Sequence, residues 1–197
     1  MGLSEQESIA LDALSELEAK QISINEAVRQ VSQGYIETLG LEVERRQFDK
    51  GAFSMVVPSS FVAVEIMSKL PLMPEVVLRF SNVSAAKPLD ESVTLIIDYG
   101  KFEYKNESVG TSLEQIAATV VQLSPSSRLY KSGVFEIGTN RIEYLEYFDS
   151  KATGDMFNDF FQMSVQGQGF SCQFMCSSDD ARLWRNIFWA LMKSARF

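Results

Sequence analysis

The stretch that decides the fold is Ser164-Val165-Gln166-Gly167-Gln168-Gly169-Phe170-Ser171-Cys172-Gln173-Phe174-Met175-Cys176, together with the residues after it. This run alternates as far as Cys176, which predicts a strand with one buried face. Ser177-Ser178-Asp179-Asp180 then ends the alternation, and a segment with helical spacing runs to Phe197. A half-buried strand needs a cover on one face, and the adjacent amphipathic helix can supply it. This region therefore predicts an α+β architecture.

Composition limits the classes of function. Of the 197 residues, 46% are hydrophobic and 22% are charged, as in a globular protein with a substantial core. The net charge is −8 and the basic residues are scattered, so the electrostatic footprint of a nucleic-acid-binding protein is absent. The first residues carry acids in place of the cations of a secretory signal, and no apolar run reaches the length of a membrane span. We expect a cytoplasmic protein without a nucleic-acid partner and without stable membrane insertion.

The order of signals along the chain predicts an N-terminal helical extension, residues 1–40, and an α+β domain, residues 41–197. Two helices are expected in the extension. The second begins at the capping box Ser23-x-x-Glu26 and continues until Gly40 ends it.

The first of these helices belongs to an acidic segment. Five acids against the single Lys20 leave residues 1–20 with a net charge of −4. Such a segment is most often a solvated face, and a docking arm for a partner is the alternative.

Strands are predicted wherever apolar residues alternate or cluster between turn signals. They fall near residues 41–43, 53–57, 61–65, 76–80, 92–99, 134–138, 141–148, 159–165 and 164–176. Short turns between the later strands predict an antiparallel meander. A central helix is expected to open at the capping box Thr111-x-x-Glu114 and to close at Ser124-Pro125. The closing helix is expected to bury Leu183, Trp184, Ile187, Phe188, Leu191 and Met192.

Residues that would carry catalysis are scarce. The chain has no histidine, which removes the commonest general base and most zinc sites. Cys172 and Cys176 would lie about 13 Å apart along a strand at roughly 3.3 Å per residue, too far for a disulfide with each other. They are expected to be buried thiols in a reducing compartment. No catalytic residue, metal site or cofactor is predicted.

Aromatic side chains point to binding instead. The chain has 14 Phe, 6 Tyr and 2 Trp, and some of them are expected to lie on the sheet face opposite the core. From these we select Tyr144, Phe148 and Phe160 as candidate contacts for a partner. The alternative, that helices from residues 4–39 cover this face, remains open.

The element order from about Phe48 to Phe197 resembles the PsbP-like superfamily, an α-β-α sandwich around an antiparallel sheet. The resemblance rests on the opening Phe53-Ser54-Met55-Val56-Val57-Pro58, on the helix opening Ser112-Leu113-Glu114-Gln115, on Phe170-Ser171-Cys172-Gln173-Phe174, on Trp184 and on the closing Ser194-Ala195-Arg196-Phe197. The cytoplasmic branch of the superfamily includes a Ran-binding release factor of yeast and the Eag chaperones of bacterial type VI secretion. The resemblance implies non-enzymatic binding of a polypeptide.

Together these expectations describe an adaptor or secretion chaperone that holds an apolar segment of a protein client or effector on its sheet face. A homodimer is left open. One alternative is an immunity-type protein that neutralises a basic toxin through its acidic surface. Another is a hydrolase that uses a carboxylate pair, either Glu143 with Glu146 or Asp155 with Asp159.

Overall fold

The structure is a computed structural model that describes residues 22–48, 51, 53–63, 76–80, 93–103, 109–151, 154–165 and 168–197. In chain order the elements are helix α1 (Ile24–Gln33), strands β1 (Tyr35–Ile36), β2 (Leu41–Phe48), β3 (Phe53–Pro58), β4 (Phe61–Ala63), β5 (Val76–Phe80) and β6 (Thr94–Glu103), helix α2 (Val109–Leu123), strands β7 (Arg128–Ile137), β8 (Asn140–Lys151), β9 (Gly154–Val165) and β10 (Gln168–Ser177), and, after a 3₁₀ turn at Ser178–Asp180, helix α3 (Ala181–Lys193). The predicted first helix and its acidic segment, residues 1–20, lie outside the described residues. No helix within the described ranges is long and apolar enough to cross a bilayer.

The strands form two antiparallel sheets. The smaller sheet has the order β1-β2-β3, and the larger has the order β4-β5-β6-β10-β9-β8-β7. The strand pairs are antiparallel throughout. Strands β7 to β10 follow each other as the predicted meander, except that β10 then pairs with β6. The α+β prediction is confirmed.

Helix α3 covers one face of the large sheet, which we call the α3 face. The rings of Phe174 and Phe188 stack across this contact with their centres 4.6 Å apart. Leu183 was predicted to be buried, but it is 40% exposed. Trp189 takes part in the contact instead and is 7% exposed. The other five residues of the predicted stripe are buried, and the stripe is wider than predicted because the helix is buried almost all round in its C-terminal half.

Helix α2 lies on the opposite face, which we call the α2 face. It packs against β8, and its side chains Leu113 and Ala117 share a groove with Leu145. The helix begins at Val109, two residues before the predicted capping box at Thr111. Helices on both faces of an antiparallel sheet make the expected sandwich.

Helix α1 packs on α3, on the side of the molecule away from α2. Its residues Ala27 and Val31 belong to the same hydrophobic core as the sheet. The helix ends at Gln33 rather than before Gly40, because Gly34 adopts a left-handed backbone with φ of 86° and its N–H reaches the carbonyls of the last turn. The division of the chain at residue 40 stays a prediction.

Candidate functional site

The three aromatic residues selected from the sequence do not form one surface. Tyr144 and Phe148 lie on the α3 face, whereas Phe160 lies on the α2 face, opposite Leu145 in the register of β8 with β9. The expectation that Tyr144 lies away from the core is wrong. It is 7% exposed, and its ring centre lies 4.5 Å from that of Trp189. Whether these residues contact a partner stays a prediction.

The other two residues differ in their surroundings. The expectation that Phe148 lies away from the core is also wrong, since it is partly buried against the core with its ring centre 5.3 Å from that of Phe157. Phe160 is half-buried on β9. Phe160 is thus the candidate that shares a sheet face with α2.

A buried charged cluster lies between the sheet and α3. Glu146 is 0% exposed and accepts hydrogen bonds from Arg185 Nη2 at 2.9 Å and Trp189 Nε1 at 2.8 Å. Asp159 is also 0% exposed, and neither of its carboxylate oxygens has a hydrogen-bond partner. Burial, and then the charge of Glu146, raise the pKa of Asp159 well above its usual range. This cluster is enclosed beneath α3, so it connects the helix to the sheet.

The carboxylate pairs considered from the sequence do not come together at an open pocket. Glu143 points to the α2 face and Glu146 to the α3 face, since they are an odd number of residues apart on β8. Glu143 is buried and accepts a hydrogen bond from Gln162 Nε2 at 2.8 Å, and burial raises its pKa. Asp155 is exposed, whereas Asp159 is buried. Among the described residues, no three side chains that commonly bind metals come together.

The centre of the α2 face is polar rather than apolar. Gln173 Nε2 donates to Tyr147 Oη and to Asn158 Oδ1, both at 3.0 Å. Burial, and then the charge of Asp149, raise the pKa of Tyr147 to about 12. The expectation of an apolar sheet face therefore fails at the centre of the sheet, where these three polar side chains are joined by hydrogen bonds. Helix α1 does not cover this face, because it packs on α3.

An apolar groove lies at the margin of the same face, between α2 and the edge strand β7. It has a volume of about 210 Å³. Most of its lining is apolar or aromatic, from Leu113, Ala117, Leu129, Tyr130 and Leu145, and its polar lining residues are Glu114, Lys131 and Ser132. We call it the α2–β7 groove. Leu129 is 49% exposed, Val134 farther along β7 is 46% exposed, and Val121 of α2 is 41% exposed. These three exposed apolar side chains lie on the two elements that border the groove.

Strand β7 ends the order of the large sheet, and no described strand pairs with its outer edge. A register shift between Leu129 and Lys131 displaces Tyr130, whose ring lies 5.1 Å from the Arg185 guanidinium. Sequence reasoning placed this strand at residues 134–138 and missed its first half. The bulge at Tyr130 interrupts the alternation that would have revealed it.

Comparison with known proteins identifies the fold. No family model and no curated protein sequence matches the chain. The solved structure of the cyanobacterial PsbP of Synechocystis sp. PCC 6803 matches with a TM-score of 0.58 and 14% identity, over 78% of this chain and 91% of that one. The Ran-binding protein Mog1p of Saccharomyces cerevisiae matches with a TM-score of 0.56 and 10% identity, over 79% of this chain and 95% of that one. The chain has the PsbP-like fold that these proteins share.

Proposed function

We propose that this chain is a non-enzymatic adaptor or chaperone that holds an extended apolar segment of a protein client. The client would lie along the outer edge of β7 and place side chains in the α2–β7 groove. The observation that carries the proposal is an edge strand of 10 residues with two half-exposed apolar side chains, Leu129 and Val134, beside an apolar groove.

The physical basis is the addition of a strand to the sheet. An edge strand presents unpaired N–H and C=O groups, which supply affinity to any extended segment, while side-chain pockets supply specificity. Leu129, Ser132 and Val134 pair with the residues of β8 that point to the α2 face. A client side chain on that face would meet the groove, which favours an apolar segment over a polar one.

Charged residues along β7 limit pairing with other copies of the same chain. Arg128, Lys131 and Glu136 are exposed and lie between or beside the apolar positions. Charges on an edge strand are a common protection against edge-to-edge aggregation. They favour a client with complementary charges over a homodimer through β7.

A protein of similar fold and the two cysteines support parts of this proposal. Mog1p is described as Ran-binding, so a protein of this fold binds another protein. Cys172 and Cys176 are free and buried, which fits the proposed cytoplasmic location. The first observation supports a binding role, the second supports the location, and the client is still to be identified.

The three aromatic residues selected from the sequence differ in how accessible they are to a client. Phe160 stays a proposed contact, since it lies on the α2 face. Contact of a client with Tyr144 would require α3 to move, because Trp189 packs against its ring. Phe148 stays a proposed contact at the margin of the α3 face, where it is partly buried.

The test is capture of a client by affinity purification of the full chain from the source cells, with three variants compared. Leu129→Asp combined with Val134→Asp places two charges on the proposed surface. Val62→Asp is the matched control, because Val62 is also 49% exposed but lies on β4 at the other edge of the sheet. We expect the double variant to lose the stoichiometric client and the control to keep it. Capture that is unchanged by the double variant, or lost equally in the control, would contradict the proposal.

A further inference from the structure

A second cleft lies between α1, the β2–β3 hairpin and the end of α3. Its volume is about 430 Å³, within the range of roughly 300–1,000 Å³ that is common for ligand sites. Part of its lining is apolar, from Val28, Val31, Val56 and Ala190. An occupant of this cleft can therefore bury apolar groups.

The rest of the lining is cationic. Arg45, Lys193 and Arg196 all line the cleft, and no acidic residue does. We call this site, with its valines and three cations, the basic cleft. Such a concentration of positive charge contrasts with the net charge of −8 for the whole chain.

None of the three cations has a carboxylate partner within the described ranges. Arg45 Nη1 donates to the carbonyl oxygen of Ser194 at 3.0 Å and to Ser54 Oγ at 3.1 Å, so its guanidinium is held in place by neutral acceptors. Lys193 Nζ lies 6.0 Å from the ring centre of Phe135. Desolvation, and then the charge of Arg196, lower the pKa of Arg45. An anionic group in the cleft would relieve this repulsion.

From this juxtaposition we propose that the basic cleft binds a short acidic segment of a partner protein that carries an apolar side chain beside its carboxylates. The three cations favour carboxylates through charge complementarity, and the three valines favour an apolar side chain beside them. A nucleic acid fits poorly, because the whole chain has a net charge of −8 and a long polyanion would extend beyond the three cations of the cleft. This inference does not rest on the proposed function, since the cleft and the α2–β7 groove share no lining residue.

The test uses the full chain and a fluorescently labelled hexapeptide in which Glu and Leu alternate, with both ends blocked. A second hexapeptide, with Gln in place of Glu, is the matched probe. We expect the acidic peptide to bind more tightly by about tenfold or more, the gain from one charge-assisted hydrogen bond. Its affinity is also expected to fall as salt is raised, because the contacts are exposed ion pairs.

Two variants with the same net charge separate the cleft from general electrostatics. Lys193→Gln with Arg196→Gln is expected to weaken the acidic peptide by about tenfold or more. Arg141→Gln with Arg182→Gln removes two exposed cations outside the cleft and is expected to change affinity by less than about twofold. Circular dichroism checks that both variants remain folded.

Several results would overturn the inference. Equal affinity for the two hexapeptides, or an equal loss of affinity in the two variants, would show that the cleft does not bind acidic segments selectively. Binding of inorganic phosphate as tight as that of the peptide would make it a small-anion site. Tighter peptide binding in a chain with Glu5, Glu7, Glu16 and Glu18 changed to Gln would indicate that the chain's own acidic segment is the occupant.

Discussion

At the scale of single residues, the buried carboxyl group of Asp159 is unfavourable for the stability of the fold. It lies beneath α3 with neither oxygen hydrogen-bonded, next to Glu146, which already accepts from Arg185 and Trp189. Burying a charged carboxylate without partners is costly, so the neutral form is favoured and the pKa rises. The folded state then binds a proton more tightly at this site than the unfolded state does.

The pH dependence of stability follows from this difference. Where the folded-state pKa is raised, the free energy of unfolding falls as pH rises from the unfolded pKa, near 4, toward the folded pKa. The slope reaches about 1.4 kcal/mol per pH unit for one proton. We expect Asp159→Asn to reduce this decline, measured by urea unfolding from pH 4 to pH 8, while the contribution of Glu143, whose pKa is also raised by burial, remains. The exposed Asp155→Asn is the control on the same strand, and an unchanged slope in Asp159→Asn would contradict the assignment.

A second residue-scale feature is the close approach of Gly133 to Tyr144. A Cβ at position 133 would lie 2.9 Å from Tyr144 Cε1, closer than side chains tolerate. The Tyr144 ring cannot shift easily, because Trp189 packs edge-on against it.

We expect Gly133→Ala to destabilise the fold by about 1–3 kcal/mol, the usual cost of overpacking. The double variant with Tyr144→Leu should recover part of this loss, because the contact is then relieved. Chemical denaturation of the two single variants and the double variant measures the coupling. Additive effects would show that the ring of Tyr144 does not limit position 133.

At the scale of elements, α3 connects the sheet, α1 and the β2–β3 hairpin. Trp184 is 2% exposed and stacks on Phe188 with ring centres 5.4 Å apart, whereas its neighbour Leu183 is 40% exposed. The two residues are adjacent in sequence and both apolar, so only the orientation of the helix separates them.

Alanine substitutions test this orientation. Trp184→Ala is expected to cost ~3–5 kcal/mol through the cavity it leaves in the core. Leu183→Ala is expected to change stability by only ~0.5 kcal/mol, as for a surface position. The midpoints of urea unfolding give both values, and comparable losses would place Leu183 in the core as the sequence pattern suggested.

Element-scale prediction succeeded where local patterns decide the outcome. The alternation that ends at Cys176 correctly assigned one buried face to β10, and the four residues on that face are all buried: Phe170, Cys172, Phe174 and Cys176. Sequence patterns could not assign Tyr144 of β8 and Phe160 of β9 to faces of the sheet. The face depends on the register between strands, and the register is a tertiary property. The end of α1 was misplaced for a different reason: two glycines could stop the helix, and Gly34 does so first.

At the scale of the whole molecule, the sheet separates two different environments. The α3 face is filled with aromatic rings around one buried ion pair, whereas the α2 face has a polar centre and an apolar margin at β7. The resemblance seen in the sequence correctly indicated the sandwich. It did not locate the apolar margin, because the bulge in β7 interrupts the alternation that would predict the first half of this strand.

Hydrogen–deuterium exchange tests the proposed addition of a client strand to β7 most directly. The full chain would be measured alone and together with the client that copurifies with it. We predict slower exchange along Arg128–Ile137 when the client is bound, because each outward N–H gains a backbone acceptor, while β4 at the opposite edge is unchanged. Unchanged exchange in β7, with protection appearing elsewhere in the molecule, would contradict the account.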